Sequence, residues 1–328
     1  MLERLKDKSI LVIGDFVVDH YRHLDPIKVS PEAPVLVFSD EMHEFRPGAS
    51  GNVAANIAAL GAKKVFLLGV VGSDYDDSII DFKSKAVEPM LVFDKTRPTT
   101  VKERLVNRRH QIARIDTKKN GYVSADIMGE MNQRALNKLR DVDAVVFSDY
   151  QHGALPFFLC RAVISTASPN APIIVDTKSP ETDKYSGAEI VLPNNVEARM
   201  IANNGDDAVN DRELAEMLIS QMIVKAVGMT LGAKGILLSN AHVNKSKVFP
   251  ALDVGERAID ATGAGDAVTA AVASCLACGI GMDDAMVIAN IMAGISVTKW
   301  GTSIVGSEEL ESVIETEFDR MKKEAKDA

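Results

Sequence analysis

The sequence predicts an α/β fold: a doubly wound, mostly parallel sheet flanked by helices, with a small β-strand lid. Three observations lead there. Short runs rich in Val, Ile and Leu alternate with amphipathic or small-residue stretches of helical length, the rhythm of a sheet buried on both faces. Two stretches, residues 16–46 and about 90–117, break that rhythm with short strand-like pieces and no long helix. No internal repeat, low-complexity tract or Pro/Gly/Ser linker divides the chain, so residues 1–328 read as one domain with two insertions.

Taken in order, the strand signals are SILVIG at 9–14, VFLLGVVG at 65–72, AVVFSD at 144–149, PIIVD at 172–176, EIVLP at 189–193 and VGMTLG at 227–232, β-branched runs punctuated by Gly, Asp or Pro. Helical stretches fall between or after them, at residues 51–60, 124–140, 155–167, 211–225, 265–278 and 283–298, and from 307 into the charged C-terminal tail. The pieces VLVF, PMLVF, TTVKERLV and QIARID, separated by turns, form the lid. In such a sheet ligands sit at the carboxyl ends of the strands.

Composition narrows the function. Forty-six acidic against 37 basic residues give a net charge of −9 and a pI near 5.3, a poor general attractor for nucleic acid or an anionic membrane. The expected partner is a small molecule, and an anionic one must meet a local basic cluster. No run of 18 apolar residues exists and the first eight positions carry charge, so neither a spanning helix nor a secretory signal fits and a cytoplasmic protein is expected. Three cysteines, Cys160, Cys275 and Cys278, are too few for a disulfide scaffold. The C-x-x-C of the last two lies in a small-residue apolar helix with no second pair and reads as core. His20 and His23 read as surface rather than metal ligands, there is no GxxxxGK[ST], and GVVG at 69–72 lacks the dinucleotide fingerprint.

The chemistry concentrates in DATGAGDAV, Asp260 to Val268. Gly263, Ala264 and Gly265 let successive N–H groups point one way at a helix start, which makes an anion cradle. Asp266 beside it either takes a proton from an attacking hydroxyl or caps the helix. RPGASGNVAANIAALGA, Arg46 to Ala62, is a second glycine-bearing turn opening a helix, with Asn52 and Asn56 on one face for sugar hydroxyls or for close helix–sheet packing. Asp15 and Asp19 follow the first strand, as ligand contacts or as turn formers. VKERLVNRRHQIAR places Lys102, Arg104, Arg108, Arg109 and Arg114 in a hairpin that either reaches a substrate phosphate or is solvated.

These segments resemble the ribokinase-like (PfkB-type) family of carbohydrate kinases along the whole chain. Asp260 with Thr262 through Asp266 completes the family's D-x-T-G-A-G-D. Within the family the likeness is to D-glycero-D-manno-heptose 7-phosphate kinases, through VSPEAPV at 29–35, RPG at 46–48, FSDY…GAL at 147–155, PN…E at 193–197 and GTS at 301–303. The resemblance implies an ATP-dependent phosphotransferase using Mg²⁺, with Asp266 as base and Gly263, Ala264 and Gly265 as anion hole. It implies Asp15, Asp19, Gly48 and Asn52 around the sugar; a phosphate already on that sugar is expected to need a cation cluster such as Arg104, Arg108, Arg109 and Lys178. Asn194 and Glu197 would organise Mg²⁺ through its waters. Thr230, Gly232, Gly235, Asn290 and Gly294 would border the nucleotide, and Asp260 with Ser303 a monovalent cation such as K⁺. A homodimer through the β lid is also implied. Rival acceptors are another sugar, sugar phosphate or nucleoside; a different class of rival is a non-catalytic nucleotide- or sugar-binding paralogue. Heptose kinases can carry a nucleotidyltransferase domain on the same chain; with the sequence ending at Ala328, that activity is expected to be absent. Three departures bear on the sugar: Ala49 follows Gly48 where the family pairs glycines, His152 stands where a Lys is usual, and Thr177 replaces the Pro of D-P-K.

Overall fold

The strand Ser9–Gly14 is buried from Ile10 onward, which requires a sheet covered on both faces. In the computed structural model, which describes residues 1–203, 208–241 and 245–327, this strand pairs in parallel with Ala144–Asp149 on one side and Lys64–Leu68 on the other. The sheet has ten strands. From one edge they run Lys326–Asp327, Lys245–Phe249, Ile236–Asn240, Ala226–Thr230, Ile190–Val191, Ile173–Thr177, Ala144–Asp149, Ser9–Gly14, Lys64–Leu68 and Val87–Pro89. Pairing is parallel from Val87–Pro89 as far as Ala226–Thr230 and antiparallel beyond it.

Alternation along the strands feeds two apolar cores. Ile10 and Val12 face one, built with the helices Ser50–Ala59, Ala264–Ala277 and Met282–Val297. Leu11 and Ile13 face the other, with Ala125–Lys138, Phe157–Thr166 and Asp211–Met222. Because Ala264–Ala277 is made almost wholly of small side chains, it lies close to its neighbours and is buried nearly throughout.

The structure departs from the sequence reading at the sheet edges. The expected strand 65–72 is two: Lys64–Leu68 stays in the main sheet, whereas Val70–Gly72 pairs with Val92–Asp94 in a separate two-stranded sheet. Ile236–Asn240 and Lys245–Phe249 were not anticipated, and neither was the helix Asn195–Ile201. The two strands follow connections too short for a crossover helix, so their pairing is antiparallel.

A four-stranded sheet rises from the end of Ser9–Gly14, in the order Leu36–Ala49, Phe16–Val29, Val101–Asn107, His110–Thr117. Of the segment 90–117 only the last two strands join it, since PMLVF belongs to the two-stranded sheet. Its base is tied to the loop 299–304: the buried Tyr21 Oη accepts a bond from Thr302 N at 2.8 Å. Arg46, lying over the rings of Tyr21 and Trp300, donates to the carbonyls of Trp300 and Thr302 at 2.9 and 2.8 Å. Among the described residues no helix is long and apolar enough to cross a membrane.

One glycine governs the antiparallel turn. Gly235 has φ +102°, and a Cβ built there would lie 2.0 Å from the carbonyl oxygen of Phe249. Gly235→Ala is therefore expected to destabilise the fold by about 2 kcal/mol or more, from left-handed strain plus a backbone clash. Denaturant unfolding measures this, and a loss under about 0.5 kcal/mol would show that the turn relaxes freely.

Candidate active site

Asp266 lies on the first turn of Ala264–Ala277 and is 4% exposed. Gly263 before it adopts φ +83°, which turns the chain into the helix; a side chain there would press on the Asn52 amide, 2.9 Å from the added Cβ. Thr262 is held by Asp260, whose Oδ1 accepts from its N–H and its hydroxyl at 2.9 and 2.7 Å. Ala264 N turns back onto the carbonyl of Ala261 at 3.2 Å, so within the expected cradle that amide is already engaged. The N–H groups of Gly265 and Asp266 have no acceptor within the helix, and the helix dipole adds positive potential there.

Two donors hold the Asp266 carboxylate. Asn52 Nδ2 donates to Oδ2 at 2.8 Å and Tyr150 Oη donates to Oδ1 at 2.8 Å. Burial pushes this carboxyl up to about 6, the two donors restrain the rise, and Asp19 adds to it. Tyr150 is itself pushed well above the usual phenol range by burial and by Asp266, so it remains a donor. Its ring lies below two ammonium groups, Lys178 Nζ at 4.0 Å and Lys102 Nζ at 5.0 Å from the centroid. Burial lowers Lys102, and its fellow cations Lys178 and Arg104 lower it further while Asp19 opposes them. Asp176, at the end of Ile173–Thr177, is held far above the carboxylate range by burial and by the charges of Asp266 and Glu197.

Several residues expected at a ligand are committed elsewhere. Asp15 accepts from Tyr150 N, His152 N and Ala154 N at 2.8, 2.9 and 3.0 Å, so its carboxylate builds a loop rather than facing a sugar. Asp19 pairs with Arg104 and accepts from Thr302 Oγ1 at 2.7 Å; Arg104 is thus engaged with Asp19 inside the protein. Gly48 packs on that carboxylate, since a Cβ there would meet Asp19 Oδ2 at 2.4 Å. Arg108 sits exposed at the tip of the outer hairpin, away from Lys102 and Arg104 at its base, and does not join the site. Burial, with Lys102 and Lys118 nearby, takes His152 down to about 4, leaving it neutral.

Asn194 and Glu197 form a capping box at the start of Asn195–Ile201, with reciprocal bonds of 2.8 and 2.9 Å. The second Glu197 oxygen is 3.4 Å from Lys178 Nζ. Asp260 Oδ2 accepts from Gly301 N at 3.0 Å, while the Ser303 hydroxyl bonds Ser296 Oγ at 3.0 Å. Each expected monovalent-cation ligand thus carries an internal hydrogen bond, Asp260 to Gly301 and Ser303 to Ser296.

Thr230, Gly232, Gly235, Asn290 and Gly294 line one cavity of about 700 Å³. Leu252, Val254, Ile259 and Val297 make its wall apolar, and its floor reaches Ala264 and Gly265, next to Asp266. Asn290 Nδ2 holds the carbonyl of Phe249 at 3.0 Å, which fixes that wall. Tyr150 and Asp176 join the site without having been expected from the sequence, and Lys102 stands out from its hairpin only in the structure. The signals were Tyr150 and Asp176 at carboxyl ends of parallel strands, and the i, i+2 spacing that puts Lys102 and Arg104 on one sheet face.

Comparison with known proteins places the chain in a family. The sequence profile described as pfkB family carbohydrate kinase matches residues 7–309. The bifunctional protein HldE of Campylobacter jejuni subsp. jejuni serotype O:6 is 36% identical over 325 residues, 98% of this chain and 68% of that protein. Its namesake from Shewanella piezotolerans is 37% identical over 319 residues, 96% of this chain and 65% of that protein, so the chain spans about two thirds of these relatives' length. Among solved structures, ribokinase from Thermotoga maritima superposes with a TM-score of 0.73 at 23% identity, covering 94% of this chain and 100% of that one. Phosphofructokinase-2 from Escherichia coli in complex with fructose-6-phosphate gives 0.72 at 17% identity, covering 96% and 99%; both likenesses show the fold.

The raised Asp266 carboxyl makes a stability prediction with a definite sign. Folding favours its neutral form, a contribution fully present below the ordinary value of 3.8 and lost as pH rises through about 6. Asp266→Asn should therefore gain about 1–3 kcal/mol over the native protein at pH 8, and the gain should vanish near pH 3.5. Urea unfolding across that range tests it; a variant less stable at pH 8 contradicts the burial penalty.

Proposed function

The chain belongs to the pfkB family of carbohydrate kinases, and from that premise we propose that it transfers the γ-phosphoryl group of Mg·ATP to a hydroxyl of D-glycero-D-manno-heptose 7-phosphate. Phosphotransfer to a sugar hydroxyl is the family's reaction; the acceptor is the finer reading. The observation that carries it is Asp266, a buried carboxylate held by two donors beside the floor of an apolar cavity of about 700 Å³. That cavity accommodates the adenosine, with the amides of Gly265 and Asp266 toward the γ-phosphate. The acceptor oxygen attacks phosphorus in line, the bond to the β–γ bridging oxygen breaks, ADP leaves, and the hydroxyl proton passes to Asp266.

Mg²⁺ fits the acidic side of the site. Asp176 is buried with the charges of Glu197 and Asp266 beside it, a surplus of negative potential that suits a divalent ion, which Glu197 would hold through water. When bound with the nucleotide, the ion neutralises phosphate charge. K⁺ beside Asp260 and Ser303 stays part of this reading, since their oxygens keep lone pairs beyond the internal hydrogen bonds.

Lys102 and Lys178 support a phosphorylated acceptor. They lie on the ring of Tyr150 beside Asp266, and of the expected hairpin cations Arg104 is spent on Asp19 and Arg108 lies remote. The neutral His152 favours the rival of an uncharged sugar. A homodimer through the four-stranded sheet accompanies the reading, since Ile27, Val29, Val35 and Leu36 project there at 54–64% exposure.

ADP release from Mg·ATP across a panel of sugars and sugar phosphates, with Asp266→Asn as the inactive control, tests the function. Lys102→Ala should raise KM for the heptose phosphate by about 10-fold or more while KM for ATP stays within about 2-fold. Equal rates on phosphorylated and free sugar would shift the acceptor to the uncharged rival. Gly265→Ala separates ligand approach from packing, because a Cβ there meets nothing within 4 Å. It should leave stability unchanged or higher by up to about 1 kcal/mol, yet lower turnover by about 10²-fold as its methyl enters the phosphate path. Unaltered turnover in that variant would remove Gly265 from the phosphate site.

A further inference from the structure

Resting on the reading of Asp266 as base, we propose that Tyr150 is a positioning residue whose hydroxyl, opposing the Asn52 amide, arrests the Asp266 carboxylate in its working orientation. An aspartate carboxylate has a broad terminal torsion, so one donor leaves it free to pivot. Here the two oxygens are held separately. Asn52, from the helix Ser50–Ala59, bonds Oδ2, and Tyr150, from the loop after Ala144–Asp149, bonds Oδ1, each at 2.8 Å.

Both donors are themselves fixed. Asn52 Oδ1 accepts from Asn56 Nδ2 at 3.1 Å, which orients its amide toward Asp266. Tyr150 is held at its backbone, where its N–H donates to Asp15 at 2.8 Å, and at its ring by the ammonium groups of Lys178 and Lys102. Each carboxylate oxygen has two lone pairs, so both keep capacity to receive the acceptor's proton. Tyr150 keeps its own proton, because burial and the neighbouring Asp266 hold the phenol well above its ordinary value.

Five charged or titratable groups act on Asp266 from the elements packed around it: Asp19 from Phe16–Val29, Lys102 from Val101–Asn107, Asp176 from Ile173–Thr177, Lys178 just beyond, and Tyr150. Of these Tyr150 bonds the carboxylate directly. Its bond favours the charged form, so its removal raises the Asp266 midpoint further.

The experiment compares Tyr150→Phe and Asp266→Asn with the native protein. In the ligand-free state, ¹³C-carboxyl titration follows the aspartate resonance that is missing from Asp266→Asn. In turnover, kcat and KM are measured from pH 5.5 to 9 with Mg·ATP and D-glycero-D-manno-heptose 7-phosphate. In Tyr150→Phe the Asp266 midpoint and the acid limb of kcat/KM should both rise by about one pH unit. At pH 7 kcat should fall about 10-fold while KM for ATP stays within about 2-fold, with partial recovery at pH 8.5. A midpoint in Tyr150→Phe equal to the native one overturns the positioning role, and the resonance reads this whatever the acceptor. Full turnover in Asp266→Asn overturns the base assignment instead.

Discussion

The carboxylate of Asp15, 2% exposed, is the group on which the geometry of the site depends. It accepts three backbone N–H groups from residues 150, 152 and 154, at 2.8–3.0 Å. Those residues bracket two left-handed positions, Gln151 at φ +61° and Gly153 at φ +96°, a path the chain does not take unaided. A buried charge satisfied by amides fixes that path. Through it the loop sets Tyr150, Tyr150 sets Asp266, and the next residue back, Asp149, is secured by Lys184 and Tyr185 at 2.6 and 2.5 Å.

Around this frame, charge is deliberately uneven. Asp19, Asp176, Glu197 and Asp266 share one region with Lys102, Lys178 and Arg104, yet only Arg104 forms a buried pair, with Asp19. A chain of net charge −9 repels a dianion at long range, and the two lysines on Tyr150 oppose that repulsion locally. Neutralising every carboxylate from within would make a more stable protein with nothing left to attract a cation or take up a proton.

What the sequence makes legible follows from how local each feature is. The turn before Asp266 and its small-residue helix are local, so both could be read directly, as could the parallel rhythm of the main sheet. Asn194 and Glu197 were also visible, but the same spacing that marks a ligand site serves as a helix cap, and only coordinates show the cap being made. Asp15 and Asp19 stand at the expected strand end; which donors claim their oxygens depends on loops far along the chain. Tyr150 is not legible as a site residue, because an aromatic after a strand usually packs. The distance of Arg108 from the site is not legible either, because a hairpin sequence does not tell base from tip.

The same distances shape how the protein comes into being. Asp19 meets Arg104 across 85 residues, Tyr150 meets Asp266 across 116, and Asn52 meets Asp266 across 214. Closing loops of that length yields no reward until both ends are already structured. The site is therefore a property of the assembled fold, and a partly unfolded chain carries all the site residues without a site.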